Sequence, residues 1–422
     1  MIRERFIHQG YRRGIIILLC LFLLSCSTEE GFFFKTEENS SPWDVKVLPW
    51  GGVAIASHTV RNPLKVFIKS FTLSRPSFIY LTNERGKIIF RKEVPDSEYG
   101  MICLNPEKRE ILFILVHVKD HHALLFLVSE KGRLLKEVVL KDLSLLPGFY
   151  SSVGRSYYFR GYEVVQKEKY YLLCFNEELE EVWRVECIPG ISLLLPNGKG
   201  IALLQRERIL IVDLKGVPLS EIRLEGGFLG ESSLPWMRIS QEGDILVFSR
   251  GSGDIKETYD SSLYFYSFEK RKIFKILELE RYKGGEYGFK FEISPSLSRI
   301  AVFPNLPPGI PVMIFNDEGQ LLSKTAVKGQ WAQAPRFLKD DLLLVVYGFG
   351  GIKEYAWEVP KKGDSSGGFY LLNEKGDLLY TYDTGWHVWS SDFDEKEGVL
   401  CLGLDGGRII KKKIPKLETT NP

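Results

Sequence analysis

The stretch FYLLNEKGDLLYT, residues 369–381, decides how the whole chain is read. An apolar run meets a polar turn closed by Gly376, and a second strand follows in which charge and apolar residues mix. The same form recurs as FIYLTNERGKIIF (78–90), LLFLVSEKGRLLK (124–136), YLLCFNEELEEVW (171–183), ILIVDLKGVPLSE (209–221), LYFYSFEKRKIFK (263–275) and VMIFNDEGQLLSK (312–324). Successive turns, centred at 86, 132, 179, 216, 270, 319 and 376, lie 37 to 57 residues apart. A fixed unit of this size is the mark of a repeat architecture.

Another hairpin precedes each of these, with a polar turn and an intensely apolar second strand. Examples are WDVKVLPWGGVAIAS (43–57), ISLLLPNGKGIALL (191–204), WMRISQEGDILVFS (236–249), FEISPSLSRIAVF (291–303) and PRFLKDDLLLVVY (335–347). HVWSSDFDEKEGVLCLGL (387–404) begins a last unit with one more strand, RIIKKKI (408–414). Two hairpins make a four-stranded antiparallel unit. Its middle strands, such as EILFILVHV and DLLLVVYGF, are apolar at consecutive positions, as strands covered on both faces must be. Its last strands carry charge, which suits an exposed edge. Stacked units of this kind make a β-propeller. The expectation is an all-β chain forming a single propeller of eight blades, with seven as the alternative. The run Gly31-Phe32-Phe33-Phe34-Lys35-Thr36 is the candidate for the outer strand that the last unit lacks.

The pattern of FYLLNEKGDLLYTYDTGWHVWSSDF followed by EGVLCLGLDGGRIIKKKI resembles the repeats of pyrroloquinoline-quinone-like and WD-like propellers. The resemblance extends over the mature chain and implies membership of the eight-bladed quinoprotein-dehydrogenase-like superfamily. That superfamily includes a propeller lipoprotein of the outer-membrane β-barrel assembly machine. Its repeat carries a Trp on the last strand of the blade; Trp183 matches it, and Phe90, Phe274 and Tyr380 lie near the same place in the pattern.

The amino terminus reads as an address. Arg12-Arg13 precede the apolar run 14–24, which as a helix would rise about 16 Å, half of a hydrocarbon core. That is the length of a signal-peptide apolar region. Leu23-Leu24-Ser25-Cys26 resembles the lipobox of bacterial lipoproteins, which implies cleavage before Cys26 and acylation of its thiol and new amino terminus. Several acyl chains anchor stably where one is marginal. Ser27 after the Cys implies the outer membrane of a diderm envelope, on its periplasmic or outer face. The expected organisation is a signal peptide over 1–25, a lipidated tether over 26–42 contributing a ring-closing strand, the propeller over 43–417 and a tail over 418–422.

Without residues 1–25 the chain holds 52 basic and 53 acidic residues, so it offers no basic footprint for nucleic acid. Cys103, Cys174, Cys187 and Cys401 sit in apolar strands without metal-site spacing. They read as buried free thiols, since Cys174 and Cys187 flank a turn at unequal distances.

Loops between the second and third strands of a blade share one rim with the blade-to-blade connections. The long insertions fall there, at 58–76, 250–262 and 348–368. Long loops on a rigid scaffold are where binding is placed, and exposed Trp and Tyr make hot spots. The candidate binding rim is Trp236, Tyr259, Tyr282, Tyr287, Trp331, Tyr355, Trp357, Trp386 and His387. The plainer reading of the same aromatics is packing beneath their own loops.

His117, His121 and His122 form the one histidine cluster, and Asp392, Asp394, Glu395 and Glu397 an acidic turn. Both read as polar turns, and no metal site or cofactor is expected. No nucleophile elbow, zinc-protease motif or phosphate loop occurs. The expectation is a membrane-tethered scaffold without catalysis, docking an envelope protein through its rim. The alternatives are a glycan or small-ligand binder and a quinoprotein-like enzyme using the central pocket.

Overall fold

The computed structural model describes residues 31–37, 40–59, 76–97, 99–117, 122–163, 169–187, 192–195, 198, 200–205, 208–223, 236–249, 262–279, 289–304, 311–326, 332–339, 342–348 and 367–415. The expected signal peptide, residues 1–25, and Cys26 lie outside them. The described residues form eight four-stranded antiparallel sheets. Blade 1 is Ser40–Val47, Val53–Thr59, Ser77–Thr82 and Ile88–Val94. Blade 2 is Tyr99–Asn105, Glu110–His117, His122–Ser129 and Leu134–Lys141. Blade 3 is Leu143–Ser151, Ser156–Glu163, Lys169–Asn176 and Glu181–Cys187. Blade 4 is Ser192–Leu195, Gly200–Leu204, Arg208–Val212 and Pro218–Arg223. Blade 5 is Met237–Ile239, Ile245–Ser249, Ser262–Ser267 and Lys272–Glu278. Blade 6 is Phe289–Ile293, Arg299–Pro304, Pro311–Asn316 and Leu321–Ala326. Blade 7 is Ala332–Lys339, Leu342–Tyr347, Gly368–Asn373 and Leu378–Asp383.

Blade 8 is Val388–Asp394, Val399–Leu404 and Arg408–Lys413, completed by Gly31–Lys35, which pairs antiparallel with Arg408–Lys413. Lys411–Lys413, which as a terminal strand would guard an edge, therefore lie inside the sheet. The edge belongs to Gly31–Lys35.

The core is divided among the gaps between blades. Leu81 and Val94 of blade 1 pack with Phe113 and Phe126 of blade 2. Val45 and Tyr80 of blade 1 pack with Cys401 and Ile409 of blade 8. The other six gaps are filled in the same way, so the apolar clusters run round the circle and close on themselves. A seven-bladed ring is thereby excluded, because blade 8 shares a core with both blade 7 and blade 1. Cys103, Cys174, Cys187 and Cys401 are free and buried, and burial pushes their thiols upward in pKa.

The quoted repeat has a local cause. In the turn of residues 373–378, Asn373 Oδ1 accepts from the N–H groups of Lys375 (2.9 Å) and Asp377 (2.8 Å). Asn83 and Asp213 do the same in their turns. Gly376 then takes φ +79°, the left-handed region open to Gly without strain. Such a turn pushes one extra residue into the following strand. In blades 1–7 that bulged residue is Ile89, Leu135, Val182, Leu219, Phe274, Leu322 or Leu379.

Neighbouring blades are also clasped at their outer strands. Trp183 Nε1 donates to the Leu214 carbonyl in the next blade's turn at 3.1 Å. Lys136, Lys275 and Thr325 donate to the carbonyls of Glu178, Asp317 and Gly376 in the same manner.

Candidate functional site

Where blades 7, 8 and 1 meet, the blade-to-blade connections and the turn between the second and third strands of blade 8 bring Trp43, His58, Trp386, His387, Trp389, Asp405 and Arg408 together. Two bulges place the central pair. In blade 1, Pro42 faces Ser57 and Asp44 faces Ala56, so Trp43 is extra in its ladder. In blade 8, Val388 faces Leu404 and Ser390 faces Gly403, so Trp389 is extra in the same way. Bulges re-aim side chains. Here they bring two indoles from adjacent inner strands to 5.7 Å between ring centroids.

Each indole is held by a polar partner. Trp43 Nε1 donates to His58 Nε2 at 3.2 Å, with the rings 5.1 Å apart, so that nitrogen of the buried His58 carries no proton. Trp389 Nε1 donates to Asp405 Oδ1. Asp405 is 5% exposed, and its Oδ2 has no hydrogen-bond partner among the described residues. Burial raises its carboxyl to a pKa of about 6, against the opposing pull of Trp389 and Arg408. His387 meets Trp389 edge-on at 4.6 Å, and burial lowers its imidazole to a pKa of about 4, which leaves it neutral near pH 7.

Trp386 forms the outer wall. Its ring lies 3.6 Å beneath the Arg408 guanidinium, a cation–π stack, and Arg408 Nη1 donates to the Asp405 carbonyl at 2.9 Å. The Asp405 N–H donates to the His387 carbonyl at 3.0 Å, tying both loops together. Beside them the ring is sealed. Thr36 N–H donates to the Gly407 carbonyl at 2.7 Å, and Thr36 Oγ1 lies 2.6 Å from Ser40 Oγ. Gly407 has φ +71°, and a Cβ there would lie 2.1 Å from Thr36 Oγ1, so any side chain would have to displace the Thr36–Ser40 contact.

Trp43 is the one large aromatic of this cluster presented to solvent, at 43%. Among the described residues of the cluster, the buried acid Asp405 is committed to Trp389. The cluster is suited to stacking and to holding cationic or planar groups.

Of the residues singled out in the sequence, Trp386 and His387 belong to this cluster. Trp236 lies at the same rim between blades 5 and 6. Its Nε1 donates to the Phe291 carbonyl at 3.0 Å, and Arg238 stacks on its ring at 4.7 Å. Tyr259, Tyr282, Tyr287, Trp331, Tyr355 and Trp357 lie outside the described residues. Trp43, Trp389 and Asp405 are not among them, although Trp43 and Trp389 share one signal: each stands in the first half of the inner strand of its blade.

His117 and His122 face each other across the ladder of blade 2, stacked at 4.3 Å, while His121 lies outside the described residues. In the acidic turn Asp394 Oδ1 accepts from Lys396 and Glu397 N–H, and Asp392 Oδ2 accepts from Val47 N–H at 2.8 Å. Among the described residues no group of three His, Cys, Asp or Glu side chains is placed to hold a metal.

No protein-family model matches the chain, and no curated protein matches it. Solved propellers do. BamB from Moraxella catarrhalis superposes with a TM-score of 0.57 at 12% identity, over 92% of this chain and 99% of that one. Sqt1 from Chaetomium thermophilum, crystallised bound to the N-terminus of the ribosomal protein L10, gives 0.58 at 11% identity, over 90% and 98%. The C-terminal WD40 domain of Sif2 gives 0.55 at 9%, over 91% and 99%. At such identities the likeness shows the eight-bladed propeller fold alone.

Proposed function

We propose that this protein is a lipid-anchored envelope scaffold whose loop-bearing rim binds a protein partner, with the Trp43–Trp389 pair at the heart of the contact. The observation that carries the reading is the paired bulge. Two inner strands each give up a ladder position to bring indoles together at the rim, and one of the indoles stays exposed. Exposed aromatic anchors held rigidly by polar partners are what interface hot spots are made of. Neighbours of the same fold include one bound to a peptide of another protein, which fits this use of a rim. The lipobox around Cys26 supports the anchor, and the Trp183 clasp fits the quinoprotein-like form of the repeat.

Two experiments test the reading. A photo-crosslinking residue at position 43, introduced in cells, is expected to capture one protein partner in high yield. A similar residue at exposed Lys375, in a short turn of the opposite rim, is not. Equal, diffuse capture at both positions overturns the docking role. Cys26→Ser is expected to lose the acyl mass and to leave the membrane fraction; unchanged fractionation overturns the anchor. A glycan binder would stack sugar on the same exposed Trp43 face, and retention on a carbohydrate array that Trp43→Ala abolishes would favour it over a protein partner.

A further inference from the structure

We propose that the rim opposite the loops lies against a lipid surface, so that the loop-bearing rim and its Trp pair are presented away from it. The proposal rests on the anchor reading above and adds an orientation to it.

The first observation is an apolar girdle. Leu135, Val182, Leu219, Phe274, Leu322 and Leu379 are the bulged residues of six outer strands, and they are 42–58% exposed. Each sits within three residues of the start of its strand, at the rim made of short turns. Among the described residues, every exposed large apolar side chain except Trp43 lies on an outer strand or at a short turn of this rim. Outer strands are edges, where charge is the usual protection and apolar side chains are a liability unless something covers them.

The second observation is where the chain enters. Lys35 pairs with Arg408 beside the Asp405–Gly407 turn at the loop rim, and Gly31 pairs with Lys412 at the far end. Gly31 therefore starts at the short-turn rim, in line with the girdle. Cys26 stands five positions earlier, and five extended residues reach roughly 17 Å. To bring the loop rim to the lipid, the tether would have to double back along Gly31–Lys35, itself roughly 17 Å long. None of its length would then remain to seat the acyl chains.

The third observation concerns charge. The short turns mix signs, as in Glu84, Arg85 and Lys87 or Glu130, Lys131 and Arg133. The girdle thus engages the interface by apolar contact, without calling on anionic headgroups.

The test uses the full acylated protein in phosphatidylcholine vesicles with a nitroxide quencher on the acyl chains. Single cysteines carrying a fluorophore are placed in the girdle (Leu135→Cys, Leu322→Cys) and at loop-rim ends of outer strands (Glu278→Cys, Asp383→Cys). The native thiols in the propeller are buried and stay unlabelled. Girdle labels are expected to be quenched at least several-fold more than loop-rim labels. Equal or reversed quenching in protein whose intact mass shows the acyl groups overturns the orientation alone. A mass without acyl groups overturns the anchor and the orientation with it.

Discussion

Trp43 and Trp389 stand one blade apart, yet their rings lie 5.7 Å from each other because both occupy the extra position of a bulge. Each has a separate polar tether, Trp43 to His58 and Trp389 to Asp405, so the two can be disturbed independently. Trp43→Ala removes the exposed ring and one hydrogen bond. It is expected to abolish partner capture at a stability cost of about 1 kcal/mol. Trp389→Phe keeps an aromatic but strips a donor from a buried carboxylate, and about 1–3 kcal/mol of stability should go. Urea unfolding and pull-down on the same preparations separate the two effects.

The second prediction concerns pH. The Asp405 carboxyl has a folded pKa of about 6 against an ordinary 3.8, so the native state binds the extra proton between these values. Its contribution is fully present below about pH 4 and is lost as pH rises through 6. The His387 imidazole, at about 4 against 6.5, works the other way. Its contribution is present above 6.5 and is lost as pH falls through 4. At 1.36 kcal/mol per unit each amounts to about 3 kcal/mol, so in the parent they largely cancel. Asp405→Asn should steepen the rise of stability with pH between 4 and 6.5, and His387→Gln should turn it into a fall. Unfolding midpoints across pH 4–8 that stay parallel in all three proteins would refute this.

Ring closure makes the third. Gly407→Ala adds a Cβ 2.1 Å from Thr36 Oγ1 at φ +71°. Gly398 has φ +65° but nothing within 4 Å of an added Cβ. Gly398→Ala should cost about 1–2 kcal/mol from backbone strain alone. Gly407→Ala should cost well beyond that and open Gly31–Lys35 to hydrogen exchange. Similar melting temperatures for the two variants would show that the seal contributes little.

A fourth uses the repeated turn. Arg271 takes φ +51° where most blades have Gly, and it is exposed. Arg271→Gly should relieve about 1–2 kcal/mol of strain, less about 0.5–1 kcal/mol for the freer unfolded chain. A small rise in melting temperature is expected. Leu179 has φ +57° but is 3% exposed, and Leu179→Gly should destabilise by about 2 kcal/mol, as core burial outweighs strain relief.

The blades were readable because their signals are local. Asn373 and Gly376 fix a turn by bonds within five residues, and the turn fixes the bulge after it. Runs such as Glu110–His117 declared themselves buried on both faces. The inter-blade clasp was legible only at Trp183, because Lys136, Lys275 and Thr325 perform the same bond with side chains that share no pattern. The cluster at the rim was harder still. Trp386 and His387 lie on a visible connection, but Asp405 became meaningful only when a turn some 16 residues on in the chain brought it to Trp389. Trp43 and Trp389 lie 346 positions apart, and no periodicity announces a bulge that turns a strand residue toward its neighbour in the ring.

The pairing of Gly31–Lys35 with Arg408–Lys413 sets a timetable for biogenesis. At ordinary ribosomal speeds the pentapeptide GFFFK waits on the order of tens of seconds for its mate to be made. Through that interval the nascent polypeptide carries an unmated aromatic strand. A chaperone able to shield it until Arg408–Lys413 is translated would govern how much usable protein a cell obtains.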